Sequence, residues 1–283
     1  MRWLEVGVTV PQEYADAVAN LFFELGSGVQ WEEPAPSHVR LKGYFAAGTG
    51  GAARAAELRR RAQAVLGEEP EFVVREMPEE DWADAWRRFY RPFRVGQRLV
   101  VRPPWEECPA LPGDLVLVIY PGTAFGCGTH PTTQMCLEAL EKHVSSGMRV
   151  CDVGTGSGIL AVAAALLGAG GVVAVDNDPV AVRLARENVA RNGLGEVVEV
   201  REGHLLDGVA GPFDLVVANI TAAVLVGLAR PAARVLAPGG LFIAGGIIRE
   251  KAAAVAAALE EAGFDLTDGK ERDGWATLAG VKK

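Results

Sequence analysis

The chain has little from which to build a metal or disulfide site. Its four cysteines, Cys108, Cys127, Cys136 and Cys151, include no C-x-x-C pair, and its four histidines fall at no metal-ligand spacing. Reduced thiols and a metal-free protein are expected. No lysine occurs between Lys42 and Lys142, so the glycine-rich stretch PGTAFGCGTHPTT at 121–133 cannot be a G-x₄-G-K-[ST] phosphate loop. Long apolar runs are missing too. The longest, Ile159 to Ala169, falls well short of the roughly 20 residues that cross a bilayer. Glu5 interrupts the place where the apolar core of a signal peptide should begin. A cytoplasmic protein with no membrane contact is therefore expected. Positive charge is scarce: the formal net charge of −8 argues against nucleic-acid binding, which needs clustered Lys and Arg, and permits a basic partner.

What is present is an ordinary globular composition, 49% hydrophobic and 23% charged over 283 residues, enough for a sizeable core and for two domains. Residues 2–10 alternate like a strand, and Pro11 opens a helix-like run through Phe23. Strand-like segments follow near 27–33 and 38–46, then an Ala/Arg helix and the strand EFVVRE. This βαββαβ order predicts a small α+β ferredoxin-like domain over 1–77. Residues 78–92 read as a linker helix, with Trp82, Trp86 and Phe89 on one stripe and acidic residues in its first turn. Over 93–283 near-continuous apolar strands alternate with helices, which predicts a parallel sheet covered on both faces. The runs around FDLT and WATLAGVKK are expected to pair antiparallel at one edge.

The strongest chemical pattern is RVCDVGTGSGIL. A strand ends at Asp152, Gly154, Gly156 and Gly158 make the turn, and an apolar helix follows at once. Glycines let backbone approach a ligand with no Cβ between, and the helix start offers unpaired N–H groups. About 20 residues on, the strand GVVAVD ends in Asp176, where an acid accepts from the ribose hydroxyls of a bound adenosine. A dinucleotide fingerprint needs a third glycine at 159, which is Ile159, so a nicotinamide enzyme is disfavoured. The strand FDLVVAN ends in Asn219, either aimed into the crevice at the carboxyl edge of the sheet or capping the next helix. In the upstream loop, Thr129 or His130 suits the cap of a helix opening at Pro131.

The GxGxG spacing resembles the first motif of class I S-adenosylmethionine-dependent methyltransferases. PGTAFGCGTHPTT, DVGTGSGILA, AVDNDP and VVANI, in this order, resemble the ribosomal protein L-eleven methyltransferases (PrmA), and DWADAWRRFYRPF and the βαββαβ unit extend the resemblance to the whole chain. It implies a Rossmann-like, mostly parallel seven-stranded sheet that binds S-adenosylmethionine and releases S-adenosylhomocysteine. It also implies an N-terminal domain that recognises a basic ribosomal protein of the large-subunit stalk base, with no nucleic acid required and a monomeric enzyme. Thr133, Gly154, Gly156, Gly158, Asp176, Asn219 and Phe125 would contact the cofactor, and Thr132, Asn219 and the carbonyl of Ile220 would orient the incoming amine. Cys127 departs from the family's usual Thr. Asn219-Ile220-Thr221 lacks the prolines and aromatic of the N-P-P-Y found where planar nucleobase amines are methylated. A class I methyltransferase acting on another protein, a nucleic acid or a small molecule is the alternative. His130 is expected to organise the loop rather than act as a base.

Overall fold

The structure, a computed structural model, describes residues 2–35, 37–47, 50–78, 90–121 and 128–283. The linker stripe of Trp82, Trp86 and Phe89 and the loop segment containing Phe125 and Cys127 lie outside the described residues. The chain divides into two compact units, Met1–Tyr90 and Arg91–Lys283.

In the first unit the elements follow in the order β1 (Arg2–Pro11), α1 (Ala15–Glu24), β2 (Gln30–Ala35), β3 (His38–Ala46), α2 (Gly51–Leu66) and β4 (Glu71–Pro78). The strands form one sheet ordered β2-β3-β1-β4 with antiparallel neighbours. Period-two alternation decides its faces. Val6, Val8 and Val10 of β1 meet Leu41 and Phe45 of β3 in a core closed by Phe22 of α1 and Leu58 of α2. On the other face polar cross-strand pairs take over. Arg40 reaches Glu71 at 3.0 Å, Lys42 reaches Glu32 at 2.7 Å, and the Tyr44 hydroxyl donates to Glu5 at 3.1 Å. Burial and the Glu5 carboxylate push the Tyr44 phenol well above its usual pKa.

The second unit begins with β5 (Phe93–Val95), β6 (Leu99–Arg102) and β7 (Leu115–Val118), then α3 (Pro131–His143), β8 (Arg149–Val153), α4 (Ile159–Leu166) and β9 (Gly171–Asp176). It continues with α5 (Pro179–Arg191), β10 (Val198–Glu202), β11 (Phe213–Asn219), α6 (Ala222–Val235), β12 (Leu236–Ile248), α7 (Ala252–Glu261), β13 (Phe264–Arg272) and β14 (Trp275–Lys282). Seven strands form one sheet in the order β10-β9-β8-β11-β12-β14-β13, parallel through β12. β14 runs antiparallel and enters between β12 and β13, its hairpin partner. That hairpin turns at Asp273-Gly274, with φ of 51° and 77°. Positive φ at both central residues is the geometry that matches strand twist, and Asp-Gly is the dipeptide that favours it.

Two cores cover the faces of this sheet. One side packs α3, α4 and α5, with Leu137, Leu140, Ile159, Val162 and Val189 against Val150, Val172 and Val217. The other packs α6 and α7, with Leu225, Leu228, Val255 and Leu259 against Val216, Phe242 and Phe264. The strand-like runs before the loop form a separate three-stranded sheet, β5-β6-β7, whose Val95, Leu99, Val101 and Leu117 extend the first core. Across the outer edge, α3 is clasped to β13: Arg272 and Lys270 both meet Glu138, at 2.9 Å each, and Lys142 meets Asp268 at 2.5 Å. Among the described residues no helix is long and apolar enough to cross a membrane.

Candidate active site

The strand order reverses between β8 and β11, and a crevice opens beyond their carboxyl ends, where open α/β sheets bind ligands. The crevice is a cleft of about 660 Å³. Thr132, Thr133, Gly154, Gly156, Asp176, Asn219 and Ile220 all line it, together with His130, His204, Leu205, Gly246 and Trp275. Gly158, placed by sequence in the same group, is not on its wall.

The turn after β8 explains why glycines recur there. Gly154, Gly156 and Gly158 all hold positive φ, of 73°, 55° and 82°. A Cβ on Gly154 would lie 2.5 Å from Ile220 Cγ2, whereas one on Gly158 would press 3.1 Å from Ala185 Cβ on α5. The first glycine lets the turn pass the end of β11, and the third lets α4 pack against α5. Beneath the turn, Asn188 on α5 is fully buried. It accepts from Tyr120 N at 2.9 Å and donates to the Ser157 carbonyl at 2.9 Å.

Two carboxylates brace the same turn. The Asp176 carboxylate accepts from Gly156 N at 2.8 Å and from Asp178 N at 3.0 Å. A carboxylate has about four lone-pair sites, so acceptor capacity remains for a ligand. Asp152 is fully buried and accepts from the Thr155 hydroxyl at 2.6 Å and Ala161 N at 3.2 Å, while its Oδ1 has no partner. Burial pushes its pKa up to about 7, with the nearby Asp176 charge acting in the same direction.

The opposite wall is the start of α3. His130 is its N-cap, and Pro131 occupies the first turn. The ring accepts at Nδ1 from Thr132 N at 3.3 Å, and the Thr132 hydroxyl lies 2.8 Å from the same nitrogen. A backbone N–H can only donate, so Nδ1 is unprotonated and the hydroxyl donates to it. The lone pairs of Thr132 Oγ1 are thereby left for another donor. Burial lowers the pKa of His130, which keeps the ring neutral. Thr133 is fully buried and its hydroxyl accepts from Asn219 Nδ2 at 3.2 Å. Asn219 does not cap α6. That position is Thr221, which makes no side-chain cap, and Asn219 Oδ1 is buried without a partner.

Cys136 and Cys151 are buried, and burial pushes both thiols up to about 12, so neither is a ready nucleophile. Among the described residues no cluster of His, Cys, Asp and Glu could hold a metal ion. Sequence reasoning missed His204, Leu205 and Trp275. Leu205 holds φ of 50°, a conformation that costs an L-residue about 1–2 kcal/mol, and nothing local in its sequence announces it.

A parallel sheet with an inserted antiparallel last strand, and a glycine turn at its switch point, defines a Rossmann-like class I methyltransferase fold. More narrowly, the chain belongs to the family described as "Ribosomal protein L11 methyltransferase (PrmA)", whose model matches residues 2–283. A protein named ribosomal protein L11 methyltransferase from Pelotomaculum thermopropionicum is 46% identical, over 99% of this chain and 98% of its own length. One of the same name from Heliobacterium modesticaldum is 42% identical, over 98% and 96%. The crystal structure of a ribosomal protein L11 methylase from Lactobacillus delbrueckii subsp. bulgaricus superimposes with a TM-score of 0.65 at 35% identity, covering 69% of this chain and all of that one.

Proposed function

We propose that the chain is an S-adenosylmethionine-dependent N-methyltransferase that modifies amines, lysine side-chain or N-terminal, of ribosomal protein L11. The observation that carries this reading is that Gly154, Asp176, Thr132 and Asn219, from four separate chain segments, line one cleft in a member of this family.

The residues fit the cofactor on three counts. The positive-φ turn at Gly154 and Gly156 keeps backbone bare where a ligand must come close. Asp176 retains lone pairs for ribose hydroxyls after bracing Gly156 and Asp178. Asn219 Oδ1 is a buried acceptor without a partner, and a buried acceptor left so costs about 1–3 kcal/mol until a donor arrives. Thr133 positions that amide through its hydroxyl. Phe125, assigned to the cofactor by resemblance, lies outside the described residues.

When bound, the cofactor supplies an electrophilic methyl group on a sulfonium. The protein's task is to deliver a neutral amine in line with it. A free lysine titrates near about 10.4 and an α-amino group near about 8, so each must lose a proton first. Burial beside a positive centre disfavours the ammonium and lowers that pKa. Thr132 Oγ1, with its proton committed to His130, then accepts from the amine, and the carbonyl of Ile220, just past β11 in the same cleft, is a second acceptor. His130 acts through Thr132 and the helix cap. Its burial and neutral state serve that positioning role, and it need not take a proton. Positioning of this kind supplies much of the rate. The N-terminal unit, 1–77 with the 78–92 segment leading to the catalytic unit from 93, is the reading's substrate-recognition part. A chain of net charge −8 suits a basic substrate.

Calorimetry with S-adenosylmethionine tests the assignment. Asp176→Ala removes the ribose acceptor and loosens the turn, and is expected to weaken binding at least tenfold. Unchanged affinity would remove Asp176 from the cofactor site.

A further inference from the structure

The strand end Asn219-Ile220-Thr221 carries no aromatic residue. An aromatic nevertheless reaches the cleft from far along the chain. Trp275 opens β14 and lines the cleft. Its ring meets the His130 ring edge-on, with centroids 4.7 Å apart and planes at 76°. His130 in turn holds the Thr132 hydroxyl. On the other side, β14 pairs Ala276 with Ile247 and Trp275 with Ile248 of β12, and Gly246, two residues before Ile248, lines the same cleft. Gly246 has φ of 80°, and a Cβ there would run into the Ile220 carbonyl. Trp275 therefore touches the cap of the helix that carries Thr132, pairs with the strand that runs past the Ile220 carbonyl, and lines one cleft with both proposed amine acceptors.

Hydrogen bonds on both sides fix its placement. The hairpin tip is tied back where Arg249 N donates to the Gly274 carbonyl at 2.9 Å. Arg272, three residues before Trp275, donates to Gln134 at 3.1 Å and to Glu138 at 2.9 Å on α3. The helix that presents Thr132 and the hairpin that presents Trp275 are thus locked to one another.

We propose that Trp275 is the aromatic wall of the acceptor pocket and stabilises positive charge as it develops on the substrate nitrogen. The inference rests on the methyltransferase reading above. In the transfer, the nitrogen lone pair forms the new N–C bond and the S–C bond breaks. Its electron pair stays on sulfur, and the resulting ammonium later releases a proton to water. Positive charge therefore leaves sulfur and appears on nitrogen. A neutral amine gains little from an aromatic face, whereas the cationic nitrogen of the transition state gains a cation–π interaction. An interaction stronger in the transition state than in the ground state accelerates the step. With acceptors at Thr132 and Ile220 and a π face at Trp275, the pocket suits an aliphatic amine rather than a planar nucleobase.

The test uses the full chain, purified L11 and S-adenosylmethionine. Trp275→Leu is expected to lower kcat/KM for L11 roughly tenfold, with cofactor affinity by calorimetry unchanged, while Trp275→Phe stays within about threefold of the parent, in line with the size of such contacts. Tryptophans carrying one to four ring fluorines, placed at 275 alone, change the π charge with little change of shape. The logarithm of kcat is expected to fall steadily with each fluorine. A flat fluorine series, or a Trp275→Leu enzyme as fast as the parent, overturns the proposal and leaves Trp275 as packing for His130. A parent chain that binds cofactor but transfers no methyl to L11 overturns the substrate reading, and this inference with it.

Discussion

Replacing Asp152 with Asn isolates one buried carboxyl. In the folded protein burial lifts this group from 3.8 to about 7. The folded state therefore holds a proton that the unfolded state releases near about 3.9, and stability falls as pH rises through that window. At about 1.4 kcal/mol per unit, the full lift corresponds to ~4 kcal/mol, of which ~3 kcal/mol accrues between pH 5 and pH 8. Asn carries no such charge. Its oxygen can still accept from the Thr155 hydroxyl and Ala161 N, and its amide nitrogen takes the place of the Oδ1 that has no partner. The unpaired amide costs about 1–3 kcal/mol at every pH. The absolute ranking of the two proteins is thus a balance, but the difference between them must move with pH. Thermal melts of parent and D152N, run from pH 5 to pH 8 at constant ionic strength, are expected to diverge in favour of D152N by roughly 5–10 °C for a unit of this size. Parallel curves would refute the reasoning, because they would mean that Asp152 titrates in the folded protein as it does in the unfolded chain.

Other expectations follow from the same geometry. Gly154→Ala adds a Cβ 2.5 Å from Ile220 Cγ2 at φ of 73°, so it should cost about 1–3 kcal/mol in chemical denaturation and weaken cofactor binding more than tenfold; retention of both would clear the turn of close contact. His130→Asn keeps a side-chain acceptor at the N-cap and should melt within about 1 °C of the parent while still methylating, whereas His130→Ala loses about 1 kcal/mol; methylation abolished in the Asn variant with cofactor still bound would make His130 the base. Deleting 1–77 should leave S-adenosylmethionine binding intact and abolish transfer to L11; undiminished transfer would take substrate recognition away from the N-terminal unit.

Much of the fold could be read because its determinants are local. Apolar runs ending at Asp152, Asp176 and Asn219 are strands because alternating helices must cover both faces of a parallel sheet. The glycine turn is legible because no other residue holds its φ values without strain. Legibility fails where partners are distant in sequence. Nothing near Phe93, Leu99 or Leu115 says that their strands leave the main sheet and form one of their own. Asn188 looks like any polar residue of an amphipathic helix until Tyr120 and Ser157 converge on it. Trp275 is invisible for the same reason: the role proposed for it depends on pairing with Ile248 and on a ring contributed by His130. The fate of Asp176 was half legible. Its place at a strand end points to the ligand role proposed for it, but its two backbone bonds to Gly156 and Asp178 make it a brace for the turn as well.

The Asp273-Gly274 turn separates two jobs along the sheet. The ends of β8 and β9 carry Gly154, Gly156 and Asp176 of the proposed cofactor site, while the aromatic proposed for the acceptor pocket arrives near the tip of a single contiguous hairpin that slots beside β12. The aromatic side of the acceptor pocket could then be altered, by inheritance or by design, by exchanging that one hairpin together with its Gln134 and Glu138 anchors on α3. The glycine turn after β8 and Asp176 at the end of β9 lie on strands that such an exchange leaves in place.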